Sequence, residues 1–343
     1  MQKFFLNNCR ILFCFSFTTL TFAQSTDTVQ IDWSRYDYIP GQQILFYDDF
    51  TADREGQPPG AWTVSTNGKV AVAKFGEHLW LQAREQATIS PTQLKLTPQF
   101  TVEMDFYVFA EGYSGRYRVD LIGKNAEEWM SLTLEPQTLF FSMSTGLTSE
   151  KAADLKTGPH HLALQADGSG FKCYIDFQPL INIPKGSAFA ATKIEIFMPG
   201  DGDNASDNQC RLTNFSVAQG PAGLQNQLTA SGKIVSYGIY FERGTANLQP
   251  ASTPTLKQLA ELLQADATLN FSIERHDNEL EEQGDNVRVS EARAEAIKDI
   301  LVQEYRINSN RLSIKGWGEG KPLAERETVE GHKMNQRVEF IRK

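Results

Sequence analysis

The sequence is short of three things: positive charge, cysteine and long apolar runs. Of its 343 residues, 33 are Lys or Arg and 42 are Asp or Glu, which gives a formal net charge of −9. This deficit of positive charge argues against nucleic acid as a partner. After residue 24, no apolar run approaches the roughly 20 residues that a membrane-spanning helix needs. We therefore expect neither nucleic-acid binding nor a transmembrane span in the mature chain.

Residues 1–23 have the pattern of a secretory signal peptide. A positively charged start precedes an apolar run at 11–22, and a small-x-small cleavage site follows that run. We expect export and a mature chain that begins at Gln24. A lipid anchor would need a cysteine directly after the cut, and Cys9 and Cys14 lie too early for one.

Cleavage leaves Cys173 and Cys210 as the thiols of the mature chain. In an oxidising compartment, a single disulfide between them is one expectation. Two buried free thiols are the alternative, and the sequence does not decide between them.

From about residue 40 to 218, within a domain assigned to residues 24–218, apolar and polar side chains alternate with a period of two. In the stretch FTVEMDFYV, residues 100–108, apolar side chains occupy every second position. Five more short stretches repeat the alternation, and glycine, proline, asparagine and aspartate lie between them. This pattern predicts an all-β antiparallel sandwich built from many short strands.

The rhythm changes after residues 219–232, a small, polar, glycine-bearing segment that we interpret as a linker. In residues 233–343, strand-like stretches alternate with apolar side chains at helical spacing. The predicted order is β-α-β-α-β-β, an α+β sandwich with its helices on one face of the sheet. Ser290, a good N-cap, is expected to begin the second helix.

Arg293 then falls in the first turn of this second helix. A cation is disfavoured there because the first-turn N–H groups carry partial positive charge. Either Arg293 bends towards solvent or a nearby glutamate, or Arg293 and the helix N-terminus together hold an anion. On the second alternative, Arg293 should be partly exposed beside an open groove.

Four ordered motifs in residues 233–343 resemble the OmpA-like peptidoglycan-binding domain. They are GIYFERGTANLQP, NVRVSEARAEAI, GWGEGKP and NQRVE. The resemblance implies non-covalent binding of peptidoglycan, without cleavage, through the diaminopimelate of the stem peptide. Because that group presents a carboxylate and an ammonium, the family's site places a cation and an anion side by side. The resemblance also implies a protein of the periplasm or of the outer-membrane side of the envelope.

The family's binding arginine corresponds to Arg293. Its binding aspartate corresponds to Asn278 in an ungapped alignment, and to Asp277 if one gap is allowed. An asparagine there would cost about 1–2 kcal/mol of attraction for the ammonium. Asn286 and Arg337 fall near the family's ligand groove, with a loop cap and a solvated cross-strand cation as their alternatives.

Residues 24–218 resemble, less specifically, the concanavalin A-like jelly roll of lectins and some glucanases. The glucanases carry three carboxylates on one strand; here Glu103 and Asp105 match the first two, and Tyr107 or Val108 takes the third position. Without the acid/base carboxylate, a retaining mechanism lacks its proton donor. We therefore predict that the protein is not an enzyme.

Other side chains of the sandwich are candidates for ligand contacts. Four aromatic side chains have two alternative roles, stacking on sugar rings or packing in the core: Tyr107, Tyr113, Tyr117 and Trp129. Three aspartates resemble a calcium loop, although acidic hairpin turns look similar: Asp201, Asp203 and Asp207. His160 and His161 point to opposite faces of a strand and cannot share a metal. Apart from calcium, no cofactor is expected.

The function predicted is that of an exported envelope protein that binds peptidoglycan and displays a β-sandwich. The partner of the sandwich itself would be a glycan or an envelope protein. One alternative is a glucanase-like enzyme with a wall-binding tail. Another is a structural protein whose peptidoglycan site has lost its ligand.

Overall fold

The computed structural model describes most of the chain from Arg35 onward. The described ranges are 35–65, 67–109, 116–125, 127–168, 170–184, 189–200, 210–220, 224–277, 283–326 and 328–343, with the backbone alone at 283–285. The predicted signal peptide at 1–23, the calcium loop of Asp201, Asp203 and Asp207, and Asn278 lie outside them.

Two antiparallel sheets form a β-sandwich in the first part of the chain. The eight-stranded sheet has the order β13-β12-β11-β6-β15-β4-β3, with β1 also paired to β15, and the seven-stranded sheet has the order β10-β9-β8-β7-β14-β5-β2. The strands are β1 (Gln43–Asp48), β2 (Trp62–Val64), β3 (Lys69–Phe75), β4 (His78–Glu85), β5 (Ala87–Pro91), β6 (Gln99–Val108), β7 (Tyr117–Ile122), β8 (Trp129–Leu134), β9 (Thr138–Met143), β10 (Thr148–Ala152), β11 (Gly158–Asp167), β12 (Phe171–Ile175), β13 (Gln178–Ile183), β14 (Lys193–Met198) and β15 (Arg211–Gln219).

The alternation in β6 explains both the core and the outer face of the eight-stranded sheet. Its apolar side chains at even positions, Phe100 to Val108, are buried between the two sheets. Glu103 and Asp105 project from the opposite face, as a period of two requires. Because β6 lies between β11 and β15, these two carboxylates sit near the centre of that face.

The second part of the chain contains four helices and a four-stranded sheet among its described residues. They are α1 (Leu224–Ser231), β16 (Lys233–Ser236), α2 (Thr253–Ala265), β17 (Phe271–His276), α3 (Gln283–Gln303), β18 (Leu312–Gly318), α4 (Val329–Asn335) and β19 (Arg337–Arg342). The sheet has the order β16-β19-β17-β18, in which β17 and β18 are parallel and the other pairs antiparallel. Apolar side chains of α1, α2, α3 and the sheet share a second core.

The segment interpreted as a linker contains a packed helix. Leu224 and Leu228 of α1 are buried in the second core, and Leu228 accepts the closing bond from the Gly232 amide. Leucines four residues apart lie on one helical face, so α1 has one apolar side to bury. Residues 219–232 are therefore not an extended spacer.

A cluster of aromatic side chains joins the sandwich to the second part of the chain. Tyr36, Tyr38 and Tyr174 are buried in it with Ala163 of β11 and Ala251, and Phe177 and Tyr240 pack against them. Nearby, Lys333 of α4 lies 5.3 Å from the Tyr47 ring centroid. The outer face of the eight-stranded sheet is thus covered at its centre.

At Gly238, the chain passes so close to Thr255 and Pro40 that only a glycine fits. A Cβ on Gly238 would lie 2.5 Å from Thr255 Oγ1 and 2.8 Å from Pro40 Cδ, and both distances are too short for real Cβ contacts.

Residues 35–343, as far as they are described, belong to one compact unit. No described helix has both the length and the apolar content to cross a membrane.

Candidate functional site

Helix α3 begins earlier than the sequence predicts. It starts at Gln283, and Arg293 is the central residue of its 21 rather than a first-turn residue. Ser290 is not an N-cap: its hydroxyl donates to the Val287 carbonyl and accepts from the Gly318 amide, each at 2.9 Å. The interpretation of Arg293 as an awkward first-turn cation is therefore wrong, because the helix dipole acts only near the helix ends.

The glycines of the Gly-Trp-Gly motif allow α3 to approach β18. A Cβ on Gly316 would lie 2.3 Å from the Glu291 nitrogen, and one on Gly318 would lie 2.9 Å from the Val287 nitrogen. Gly318 also has a φ of +50°, which side chains disfavour. This close contact sets the position of α3, and hence of Arg293, against the sheet.

The Arg293 side chain is 0% exposed, so the expectation of a partly exposed arginine is wrong. Its Nη1 lies 2.5 Å from Asp277 Oδ1. Its Nε donates to the Thr245 carbonyl at 2.8 Å, and its Nη2 to the Glu242 carbonyl at 3.4 Å. The guanidinium carbon lies 4.9 Å from the centroid of the Phe241 ring, within cation–π range.

Asp277 lies between two arginines. Besides Arg293, Arg275 binds its carboxylate in a bidentate manner, with Nε 3.0 Å from Oδ2 and Nη2 2.5 Å from Oδ1. The Asp277 amide donates to the Gly318 carbonyl at 3.1 Å. The gapped alignment requires this position of Asp277, with its carboxylate on Arg293.

A small pocket opens beside Asp277. It is lined by His276, Asp277, Gly318, Glu319, Lys321, Pro322, Arg326 and Asn335. Arg293 is not among the lining residues. Hence Asp277 faces the pocket and Arg293 lies behind Asp277.

His276 lines the same pocket, and its imidazole makes no hydrogen bond to the described residues. Neither ring nitrogen has a partner among them, and the ring stacks on Trp317 with 6.5 Å between centroids. Burial, helped by the charge of Arg337, lowers the pKa of His276 to about 3. The imidazole is therefore neutral at physiological pH and offers one donor and one acceptor.

The remaining predicted site residues have partners inside the protein. Asn286 is buried and donates to Glu319 Oε1 at 3.0 Å. Arg337 is buried, with Nε 2.7 Å from Glu339 Oε1 and Nη2 donating to the Lys321 carbonyl. Arg337 is therefore not a solvated cation, and neither Asn286 nor Arg337 lines the pocket.

The two carboxylates of β6 form an ion-paired cluster on the covered face of the sandwich. His161 of β11 has Nδ1 2.7 Å from Asp105 Oδ1 and Nε2 3.5 Å from Glu103 Oε1. Tyr240, from the second part of the chain, donates its hydroxyl to Glu103 Oε1 at 3.3 Å. Asn214 donates to Asp105 Oδ2 at 2.7 Å.

The titration of this cluster follows from its contacts. Burial alone would lower the pKa of His161, but the hydrogen bonds and charges of Asp105 and Glu103 raise it to about 10. Burial alone would raise the pKa values of Glu103 and Asp105, but His161 holds both below their usual range. At neutral pH the cluster contains one imidazolium and two carboxylates.

The aromatic candidates for sugar stacking are not gathered at one surface. Tyr117 is buried, and its hydroxyl donates to the Tyr107 carbonyl at 2.6 Å. Tyr107 packs edge-on against Phe75, with 4.9 Å between ring centroids. Trp129 is 38% exposed, and Tyr113 lies outside the described residues.

Cys173 and Cys210 are buried and form no disulfide, so the disulfide alternative is wrong. Cys173 is on β12 and Cys210 directly precedes β15, and two strands, β11 and β6, lie between β12 and β15 in the sheet. Since neighbouring strands are about 4.8 Å apart, the two residues are too far apart for a disulfide. Within the described part of the chain, no cluster of three or more His, Cys, Asp or Glu is arranged to hold a metal ion.

The sequence analysis did not predict Arg275, His161 or Tyr240 as members of these clusters. For Arg275 a signal existed, because a residue two positions before Asp277 on a strand points to the same face. For His161 the signal was strand pairing, since it lies directly opposite Asp105 in the β11–β6 register. Tyr240 contacts Glu103 across 137 residues, which no local pattern predicts.

Comparison with known proteins places the second part of the chain in a family. Residues 240–336 match the OmpA family and form an OmpA family domain. Outer membrane porin F of Pseudomonas aeruginosa is 28% identical over 147 residues, which are 42% of this chain and 41% of the porin. The peptidoglycan-binding protein ArfA of Mycobacterium bovis is 30% identical over 125 residues, 36% of this chain and 37% of ArfA.

The chain thus spans about two fifths of the length of these curated relatives. Among solved structures, the carbohydrate-binding module CBM66 from Bacillus subtilis covers 46% of this chain and 96% of its own, with 16% identity and a TM-score of 0.34.

Proposed function

We propose that this protein is an exported component of the cell envelope that binds peptidoglycan non-covalently through residues 233–343. The OmpA family match at 240–336 and the similarity to a relative named a peptidoglycan-binding protein support this proposal. The proposed location is the periplasm, next to the outer membrane. The proposed partner is the diaminopimelate of the stem peptide.

The observation that carries the proposal is the Asp277–Arg293 pair, in which Asp277 lines a small pocket and Arg293 lies behind it. A ligand that presents an ammonium and a carboxylate needs an anion and a cation side by side, and these two side chains are 2.5 Å apart. Asp277 faces the pocket and suits the ammonium, whereas Arg293 suits the carboxylate. His276, neutral beside them, can donate to or accept from an amide of the peptide.

The resting pair is satisfied internally, so binding is an exchange of ion pairs. The ligand ammonium would take over Asp277 from Arg293, and the ligand carboxylate would compensate Arg293. Because Arg275 stays on Asp277, the carboxylate keeps its position during the exchange. Replacing each buried pair by another avoids leaving a single charge uncompensated.

No observation favours the glucanase alternative. Glu103, the proposed first carboxylate of such an enzyme, accepts hydrogen bonds from Tyr240 and His161 on a covered face. A glycan or an envelope protein as the partner of the sandwich remains a proposal, and Trp129 is an exposed aromatic that suits it.

Co-sedimentation of the purified full-length protein with insoluble peptidoglycan tests the proposal. The protein should sediment with the sacculi, and free meso-diaminopimelate should compete, whereas equal concentrations of lysine should not. Asp277→Asn should weaken binding roughly tenfold to hundredfold, the usual effect of losing a charge-assisted hydrogen bond. Asp299→Asn, the same change on an exposed position of α3, should bind as wild type. Sedimentation that diaminopimelate leaves unchanged would contradict the proposal.

A further inference from the structure

Residues 240–245 contact both the proposed ligand site and the sandwich. We call them the bridging segment. The Glu242 amide donates to the Asn247 carbonyl at 3.0 Å, and the Gln249 amide donates to the Tyr240 carbonyl at 2.9 Å. A bridge between Phe241 and Leu248 completes this turn. The bridging segment is therefore part of an internally bonded turn.

On one side, the bridging segment holds Arg293. The carbonyls of Thr245 and Glu242 accept two of the guanidinium N–H groups, and the Phe241 ring lies 4.9 Å from Arg293 and 5.3 Å from Arg275. These contacts, together with Asp277, surround the guanidinium of Arg293, whose side chain is 0% exposed. A ligand in the pocket reaches Asp277 but not Arg293 unless the bridging segment shifts.

On the other side, the bridging segment is attached to the sandwich through Tyr240. Its hydroxyl donates to Glu103, its ring packs against the aromatic cluster, and its amide donates to Ser252 Oγ at 2.9 Å. Glu103 is itself held by His161. The acceptor of the tyrosine is thus a fixed, charged group rather than a mobile surface carboxylate.

We propose that the sandwich holds the peptidoglycan site closed through the bridging segment, so that the contact between Tyr240 and Glu103 is autoinhibitory. This inference rests on the proposed function. In the closed state, Arg293 is bonded to the carbonyls of the bridging segment. In the open state, the segment leaves with Tyr240, and the ligand carboxylate takes the place of the Thr245 and Glu242 carbonyls on Arg293.

The affinity of such a site depends on the stability of its closed state. If most molecules are closed, the apparent affinity is reduced by the fraction that is open, and weakening the closed state raises it. Losing a hydrogen bond of ordinary strength changes an equilibrium by roughly threefold to tenfold. This is the gain in affinity expected when the bond between Tyr240 and Glu103 is removed.

The test measures peptidoglycan binding of full-length variants. Tyr240→Phe removes the hydroxyl and keeps the ring, and Glu103→Gln removes the charge of the acceptor. Each should bind sacculi about threefold to tenfold more tightly than wild type. Tyr305→Phe, on a tyrosine that packs against the second core, is the matched control and should bind as wild type.

The outcomes separate this inference from the proposed function. Tighter binding by Tyr240→Phe supports the inference, including the case in which wild type binds too weakly to detect. If all four proteins bind equally, the autoinhibitory contact is refuted and the proposed function stands. If none of them binds, the proposed function fails, and the inference fails with it.

Thiol labelling gives a second readout that does not depend on affinity. Ala163 is buried in the aromatic cluster directly opposite Glu103, so a cysteine at this position reports opening. Maleimide should label Ala163→Cys slowly, and faster after diaminopimelate-containing stem peptide is added or when Tyr240→Phe is also present. A labelling rate that neither change increases would overturn the coupling.

Discussion

Asp277 Oδ1 and Arg293 Nη1 form an ion pair 2.5 Å long, with side chains that are 1% and 0% exposed. The pair joins the end of β17 to the middle of α3. Because both charges are removed from water, each depends on the other far more than in a surface pair, which contributes little. Arg293 corresponds to the arginine that the OmpA-like resemblance assigns to ligand binding, and Asp277 corresponds to the aspartate if the alignment contains one gap.

The stability of the protein should depend on Arg293. Arg293→Ala leaves Asp277 with Arg275 as its remaining arginine and empties a buried volume, so we expect a loss of about 3 kcal/mol in the free energy of unfolding. Urea denaturation followed by circular dichroism measures it. Lys298→Ala, which removes a partly exposed pair with Glu295 on the same helix, should cost less than about 0.5 kcal/mol. Equal losses in the two variants would show that the buried pair is unimportant.

Asn278→Asp distinguishes the two alignments. Since Asp277 already pairs with Arg293, a second carboxylate at position 278 should change peptidoglycan affinity less than twofold, which is under about 0.4 kcal/mol. Asp277→Ala should behave like Arg293→Ala in the same sedimentation assay. A tenfold gain from Asn278→Asp would instead identify position 278 as the binding aspartate.

The ion-paired cluster of Glu103, Asp105 and His161 should make stability pH-dependent. His161 has a folded pKa of about 10 against an ordinary 6.5, so its contribution is complete below pH 6.5 and is lost as the pH rises towards 10. Glu103 and Asp105 have lowered pKa values. Their contribution to stability is therefore present above their ordinary pKa values of 4.5 and 3.8, and it is lost as the pH falls below them. The cluster therefore stabilises most between about pH 5 and pH 6.5.

His161→Gln tests this dependence. Wild type should be more stable than the variant by on the order of 2–4 kcal/mol near pH 6, and the difference should shrink steadily up to pH 10. Lys333 also faces the cluster, and its positive charge lowers the pKa values of both carboxylates. Lys333→Met is therefore the control, and in it the loss of stability between pH 6.5 and pH 10 should persist. A difference between wild type and His161→Gln that is constant across this range would contradict the assignment.

The thiols of the folded protein should be unreactive. Burial raises the pKa values of Cys173 and Cys210 to about 12, so neither forms an appreciable thiolate at pH 8. Iodoacetamide should label neither thiol in the native protein and both in 6 M guanidinium, roughly the concentration that unfolds most domains. Dithiothreitol should leave the melting temperature unchanged. A fall in melting temperature on reduction would restore the disulfide alternative.

The sandwich should release no reducing sugar from β-glucans. Glu103 is already occupied by His161 and Tyr240, and the third carboxylate of the glucanase pattern is missing. A reducing-sugar assay with wild type and Glu103→Gln should give the same background rate. Turnover in wild type that the substitution abolishes would make the enzyme alternative the leading one.

Local periodicity by itself determined which side chains of several elements are buried. Alternation in residues 100–108 assigned five apolar side chains to the core and Glu103 and Asp105 to the outer face, as observed. Helical spacing identified the buried face of α3, where Ala294, Ile297 and Leu301 are all fully buried. These features depend on the direction in which each side chain points from its own element, which a sequence period reports directly.

The start of α3 shows where the local signal was insufficient. Ser290 is a good N-cap by type, yet the helix continues seven residues upstream to Gln283. The hydroxyl of Ser290 is bonded to Gly318 of β18 instead, 28 residues away. A capping preference of about 1 kcal/mol does not prevail over the packing of α3 on the sheet.

Only the tertiary structure decided which charged groups meet. Arg293 reaches Asp277 across 16 residues and Thr245 across 48, and Glu103 reaches Tyr240 across 137. The separation of Cys173 from Cys210 was decided in the same way, by the order of strands in one sheet. Periodicity along the chain contains no information about strand order or about which faces of two cores are pressed together. The burial of Arg293 and the covering of Glu103 both follow from these long-range contacts, because each side chain is enclosed by groups from distant parts of the chain.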